Sequence, residues 1–163
     1  MNYVLIGMPS CGKSTVGVLL AKEIGFDFLD VDILLQSRAG KRIQAILDDE
    51  GLEAFKKIEE DTLCSIDVDR TVISTGGSAV YSGKGMRNVK KNATVIYISV
   101  PLEEIYARIE NLKSRGIAGL SEKHFAKIYL ERKALYEKYA DITVDGTGLV
   151  KDELLKAILK AIR

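Results

Sequence analysis

The chain has 163 residues, 47% of them hydrophobic and 29% charged, with a formal net charge of +1. That length predicts a single domain, residues 1–163, large enough to bury a real core. A near-zero net charge leaves no global field to draw nucleic acid or a membrane surface, and no apolar run approaches the roughly 20 residues of a membrane helix, so neither partner is expected.

Lysines and arginines are interleaved with acids and read as solvated helix faces. Cys11 and Cys64 make no disulfide framework and lack zinc spacing. His124, the single histidine, has no Cys or His partner nearby in sequence and is expected at the surface. No targeting segment precedes the first strand, so the reading is cytoplasmic. Nothing suggests an obligate oligomer, and a monomer is expected.

The first element is a short apolar run, Tyr3-Val4-Leu5-Ile6, read as a strand. It leads into Gly-Met-Pro-Ser-Cys-Gly-Lys-Ser-Thr, which fits G-x-x-x-x-G-K-[ST] at Gly7, Gly12, Lys13 and Ser14. Val16 to Ile24 follows with apolar residues at helical spacing. A loop in this context cradles phosphates, because its backbone N–H groups and the positive end of the helix dipole converge on the phosphate oxygens. Gly7, Ser10, Cys11, Gly12, Lys13, Ser14 and Thr15 are therefore the expected nucleotide-phosphate set. Lys13 is expected to face solvent and reach the β- and γ-phosphates, and the Ser14 hydroxyl to ligate Mg²⁺. Cys11 reads as a small side chain of the loop.

Phe26 to Asp30 reads as a second strand ending on a carboxylate, with Asp32 two residues on. Ile33 to Glu50 has helical periodicity, with apolar positions Ile33, Leu34, Ile43, Ile46 and Leu47 and a break at Gly40. Gly51 is expected to end that piece or begin the next. Leu52 to Ile66 is a further helix, with Leu52, Phe55, Ile58, Leu63 and Ile66 on one side. Thr71 to Ser74 is a strand running into Thr75-Gly76-Gly77-Ser78, where paired glycines put backbone donors within a ligand's reach.

Met86 to Lys91 is a short helical piece. Ala93 to Val100 is the clearest strand, a near-continuous β-rich run of the buried parallel kind. Pro101 opens a helix containing Arg108. Asn111 to Ser121 breaks the periodicity and carries Lys113, Arg115, Gly116 and Gly119, which reads either as an ordinary loop or as a basic segment that folds over phosphates. Phe125 to Tyr139 is a helix carrying Arg132, Asp141 to Asp145 a last strand, and Val150 to Ile162 a closing helix. Five strands alternating with helices imply an α/β fold of three layers, with a parallel sheet and ligands outside the carboxyl ends of the strands.

In order and spacing the chain resembles the shikimate kinases, a branch of the P-loop kinases. Asp30-Val-Asp32 is similar to that family's Asp-x-Asp. Gly40, Ile43, Ile46, Gly51, Phe55 and Glu59 match its G-x-x-I-x-x-I followed by G-E-x-x-F-R-x-x-E. Thr75-Gly76-Gly77 is similar to its glycine triplet, and Arg132 to Asp141 to its R-x-x-L-Y-x-x-x-A-D. The resemblance implies a P-loop kinase fold, an acceptor-binding region over about residues 32–61, and a lid over about 111–124.

It also implies roles: Asp30 with Ser14 at Mg²⁺, Asp32 on the acceptor hydroxyl, Arg108 stacked on adenine, Arg115 in the lid on the phosphates, and Arg132 on the acceptor carboxylate. Lys56, Gly76, Gly77 and Ser78 complete the acceptor set. The expected activity is transfer of the γ-phosphoryl of ATP to a small hydroxylated carboxylic acid, shikimate first. Another hydroxy acid or polyol and a nucleotide-binding regulatory protein without turnover remain as alternatives. The departures fall on the acceptor side: Lys56 for the family arginine, Ser78 for its third glycine, Arg115-Gly-Ile-Ala in the lid, and Leu52 for its glutamate.

Overall fold

The protein is described here from a computed structural model covering residues 1–110 and 122–163. Its centre is a five-stranded sheet in the order β2-β3-β1-β4-β5, with every neighbouring pair parallel. The strands are β1 (Asn2–Ile6), β2 (Asp27–Asp30), β3 (Thr71–Ser74), β4 (Ala93–Ser99) and β5 (Ile142–Asp145). All five residues of β1 are buried, so both alternating sets of side chains are covered and the sheet has protein on each face.

The helices are α1 (Lys13–Ile24), α2 (Val31–Ala39), α3 (Ile43–Cys64), α4 (Gly83–Lys90), α5 (Leu102–Glu110), α6 (Glu122–Tyr139) and α7 (Lys151–Ala161), with a 3₁₀ turn at Ala79–Tyr81. The alternation is the one read from the sequence. Parallel strands bring the loops after β1, β2 and β3 to one end of the sheet, where the phosphate loop, Asp30 and Thr75 to Ser78 meet.

Three expectations need correction. The helix expected over Ile33 to Glu50 starts at Val31, stops at Ala39 with Gly40 in the left-handed region, and resumes at Ile43. It then runs past Gly51 to Cys64. That glycine takes φ 83 and ψ 175, so it kinks the helix instead of ending it. Ile33 and Leu52 are 64% and 57% exposed, because the apolar faces of α2 and α3 close on each other through Leu35, Ile46 and Phe55 instead. This small separate core gives the region around residues 32–61 its own anchorage beside the main one.

The first helix also begins earlier than its apolar pattern, at Lys13, directly on the phosphate loop. His124 is exposed, as expected. At the amino end of the sheet, away from the phosphate loop, Asn2, Cys64, Ile66, Asn88 and Asn92 line a cavity of about 300 Å³. Cys64 is exposed there, whereas Cys11 is buried. No helix among the described residues is long and apolar enough to cross a membrane.

Candidate active site

The phosphate loop is locked by sterics. Gly7 has φ 147, and a Cβ there would lie 2.7 Å from the Ile98 carbonyl oxygen and 2.9 Å from Cys11 Sγ. Gly12, at φ 102, is the N-cap of α1, and Ser10 holds a positive φ of 64. Ser14 and Thr15 are exposed on the first turn of α1.

The expectation of a solvent-facing Lys13 is overturned, since its exposure is 7%. The stem folds back along its own loop, and Nζ donates to the carbonyl oxygens of Gly7 and Met8 at 2.8 Å each, with Cys11 Sγ at 3.7 Å. A buried ammonium needs such partners. Two backbone carbonyls hold the cation beside the loop's N–H groups without neutralising its charge.

Ser14 Oγ donates to Asp30 Oδ2 at 2.6 Å and lies 3.2 Å from Ser74 Oγ. The other Asp30 oxygen accepts from the Asp32 and Ile33 backbone N–H groups at 3.0 and 3.2 Å, so Asp30 is also the N-cap of α2. Among the described residues, no cluster of three or more His, Cys, Asp or Glu side chains is placed to hold a metal by itself. The Ser14–Asp30 corner offers hard oxygen donors beside the phosphate loop. That set suits a small hard cation which keeps waters and takes phosphate oxygens.

Asp32 sits in the first turn of α2, and Glu59 comes from the α3 segment after the Gly51 kink. A Cβ on Gly76 would lie 2.8 Å from Asp32 Oδ1 and 3.0 Å from Glu59 Oε1, so both carboxyls press on this strand end and a side chain there would displace them. Burial, then the neighbouring Asp30 carboxylate, raises the Asp32 carboxyl above its ordinary range, while the Lys13 ammonium pulls it back. Glu59 is 3% exposed. Burial pushes its carboxyl up to about 7; the Ser78 hydrogen bond opposes this, the Asp32 charge adds to it, and Arg132 opposes it.

Gly77 is the meeting point of the two halves. A Cβ there would be 2.7 Å from Pro9 Cδ of the phosphate loop and 3.0 Å from one terminal nitrogen of Arg132. Arg132 projects from α6, its Nε buried without a hydrogen-bond partner and its guanidinium 5.6 Å from the Tyr81 ring centre. One turn on, the Tyr136 hydroxyl donates to the Gly77 carbonyl oxygen at 2.7 Å and pins α6 to the strand end. Burial pushes that phenol up; Arg132 pulls it down.

Arg108 on α5 donates to the Ser10 carbonyl oxygen at 3.1 Å and pairs with Glu104, whose second oxygen accepts from the Gly148 N–H at 3.0 Å. The arginine is thereby fixed along the edge of the phosphate loop. Lys56 lies one helical turn before Glu59, but its ammonium pairs with Glu53 at 2.9 Å on the exposed surface. Ser78 Oγ hydrogen-bonds both Glu59 oxygens, at 2.9 and 2.8 Å. Arg115 and residues 111–121 of the expected lid lie outside the described residues.

Sequence reasoning left Glu59, Tyr136 and Glu104 out of the site. The spacing of Phe55 to Glu59 and of Arg132 to Tyr136 carried the signal for the first two; no local pattern marks Glu104.

The site is thus a phosphate loop, a corner of oxygen donors and a carboxylate–guanidinium pocket around a Gly-Gly strand end. Residues 9–163 match the family model described as "Shikimate kinase". The chain is 32% identical over 163 residues to "Shikimate kinase" of Persephonella marina, covering 99% of each chain. It is similar to the crystal structure of shikimate kinase from Aquifex aeolicus, with a TM-score of 0.87, 32% identity and coverage of 99% of this chain and 96% of that one. The structure of shikimate kinase from Acinetobacter baumannii in complex with shikimate superimposes with a TM-score of 0.88 at 28% identity, covering 98% and 90% of the two chains. Sequence and fold agree over nearly the whole length, and the chain belongs to the shikimate kinase family.

Proposed function

We propose that this chain transfers the γ-phosphoryl group of ATP to a hydroxyl of shikimate. The observation that carries the reading is the convergence at Gly77, where the phosphate loop's Pro9 and the guanidinium of Arg132 would both crowd a Cβ. A donor held by the loop and an anionic acceptor held by Arg132 are thereby brought side by side. Phosphoryl transfer asks mainly for such positioning and for neutralised charge.

In this reading the loop N–H groups and Lys13 bind the β- and γ-phosphates, with Lys13 exchanging its two carbonyl partners for phosphate oxygens. Ser14 and Asp30 would hold Mg²⁺, which would supply charge neutralisation on the phosphates. Asp32 accepts the hydrogen bond of the attacking hydroxyl and orients it. Its raised carboxyl is a better proton acceptor than an ordinary aspartate. The Gly76 and Gly77 backbone lies against the acceptor, and Arg132 binds its carboxylate as a planar fork. Arg108 flanks the adenine, and Arg115 supplies a further positive charge for the phosphates.

ADP release, measured with Mg-ATP and shikimate, with a panel of other hydroxy acids and polyols, and with no acceptor, tests the proposal. Shikimate-dependent release and a phosphorylated shikimate by mass are expected. Turnover confined to another acceptor would move the assignment to that molecule. Background ADP release with every acceptor would leave a nucleotide-binding protein without this activity.

A further inference from the structure

Three charged side chains crowd the Gly76–Gly77 strand end: Asp32 from α2, Glu59 from α3 and Arg132 from α6. Glu59 and Arg132 are opposite in charge and close enough to influence each other, yet no ion pair joins them among the described residues. Arg132 keeps its buried Nε without a hydrogen-bond partner. The Glu59 carboxyl is held instead by the Ser78 hydroxyl, at 2.9 and 2.8 Å. The cation one turn earlier on the same helix, Lys56, is turned away to Glu53.

A buried carboxyl takes whatever donor is available. Without the Ser78 hydroxyl, the best donor left beside Glu59 is the guanidinium of Arg132. An arginine–carboxylate pair is a strong, geometrically matched contact. It would satisfy both groups and at the same time fill the place where an acceptor's carboxylate should bind.

We propose that Ser78 is a positioning residue for the acceptor: its hydroxyl keeps Glu59 off Arg132, which leaves that guanidinium open to an anionic ligand. The inference rests on Arg132 being the carboxylate site of the function proposed above. It assigns Ser78 an indirect role, acting through Glu59 and Arg132 without touching the acceptor. It also accounts for a hydroxyl at this position, since a glycine here would leave Arg132 as the donor nearest to Glu59.

The test is steady-state kinetics with shikimate varied at saturating Mg-ATP, on wild type, Ser78→Ala, Ser78→Thr, Glu59→Gln and the double variant Ser78→Ala/Glu59→Gln. In Ser78→Ala the KM for shikimate should rise about tenfold, while kcat and the KM for ATP stay within about twofold. Ser78→Thr, which keeps the hydroxyl, should stay near wild type. The double variant should return to the KM of Glu59→Gln alone, because a neutral amide does not compete with an acceptor for Arg132. A KM unchanged in Ser78→Ala, or a rise that persists in the double variant, would overturn the proposal. Should Ser78→Ala fail to fold, Ser78→Gly with and without Glu59→Gln gives the same comparison. A wild type without shikimate-dependent turnover defeats the function and this inference together. A competent wild type with an unresponsive Ser78→Ala defeats this inference alone.

Discussion

The proposed nucleotide half and the proposed acceptor half of the site are built on different principles. In the first, backbone does the work and the side chains are already satisfied: Lys13 on two carbonyls, Ser14 on Asp30, Arg108 on Ser10 and Glu104. In the second, buried charged groups stand in tension, with Asp32 and Glu59 both raised and the Arg132 Nε without a partner. A backbone cradle accepts any nucleotide phosphate. A pocket of incompletely partnered polar groups rejects ligands that cannot complete it, and such a pocket would discriminate between acceptors. Two of the chain's departures from the family pattern, Lys56 and Ser78, fall in the second half.

The largest separation between the halves is expected from Asp32→Asn. Turnover should fall about 10³-fold, within the range for loss of a general base, while the KM for ATP stays within about twofold. An equal loss of ATP affinity would merge the two halves into one. Lys13→Ala is expected to cut kcat about 10²–10³-fold. Because the structure puts this lysine on the loop's own carbonyls, it should also weaken ATP binding and loosen the loop, seen as faster amide exchange over residues 7–12. Intact ATP affinity in Lys13→Ala would show that the loop holds its shape without the lysine.

The next prediction concerns pH and stability. Glu59 titrates near 7 in the folded protein against an ordinary value of 4.5, so the native state binds the extra proton between those values. The Glu59 contribution to stability is then fully present below about 4.5 and is lost as pH rises through about 7. The shift corresponds to about 3 kcal/mol. Denaturant midpoints at pH 5 and pH 8 should differ in that direction, and Glu59→Gln should remove most of the difference. A wild type equally stable at both values would mean that Glu59 is compensated by more than Ser78.

The smallest expected effect lies in the acceptor half. Lys56→Arg with Ser78→Gly gives Glu59 a guanidinium one helical turn away in place of the lost hydroxyl. The KM for shikimate should fall by up to about tenfold with kcat nearly unchanged, whereas Ser78→Gly alone should be harmful. Loss of shikimate turnover in the double variant would mean that Lys56 and Ser78 serve a different acceptor.

Much of this architecture was legible because its causes are local. Val72-Ile73, Val95-Ile96 and the phosphate-loop spacing announce buried parallel strands and a strand–loop–helix turn without any partner being known. Gly76 and Gly77 were read as backbone donors. Their steric reason was hidden, because Asp32, Glu59, Pro9 and Arg132 reach them from four distant segments. Lys13 read as exposed because its charge suggests water, and only the folded loop reveals the two carbonyls. Lys56 and Ser78 could be placed in the right region, but which carboxylate each one holds depends on rotamers that sequence does not encode. Ile33 and Leu52 misled in the opposite way, since periodicity marks apolar faces without saying which of them find a neighbour.

The parallel sheet also separates two thiols. Cys11 is enclosed in the phosphate loop beside Lys13, while Cys64 is exposed at the far, amino end of the sheet. A maleimide dye or a solid support should therefore attach to Cys64 alone in the folded protein, with no substitution needed. That makes the unmodified chain a single-handle molecule for fluorescence or immobilised assays. Protection of Cys11 from a thiol reagent then becomes a direct gauge of whether the phosphate loop is closed.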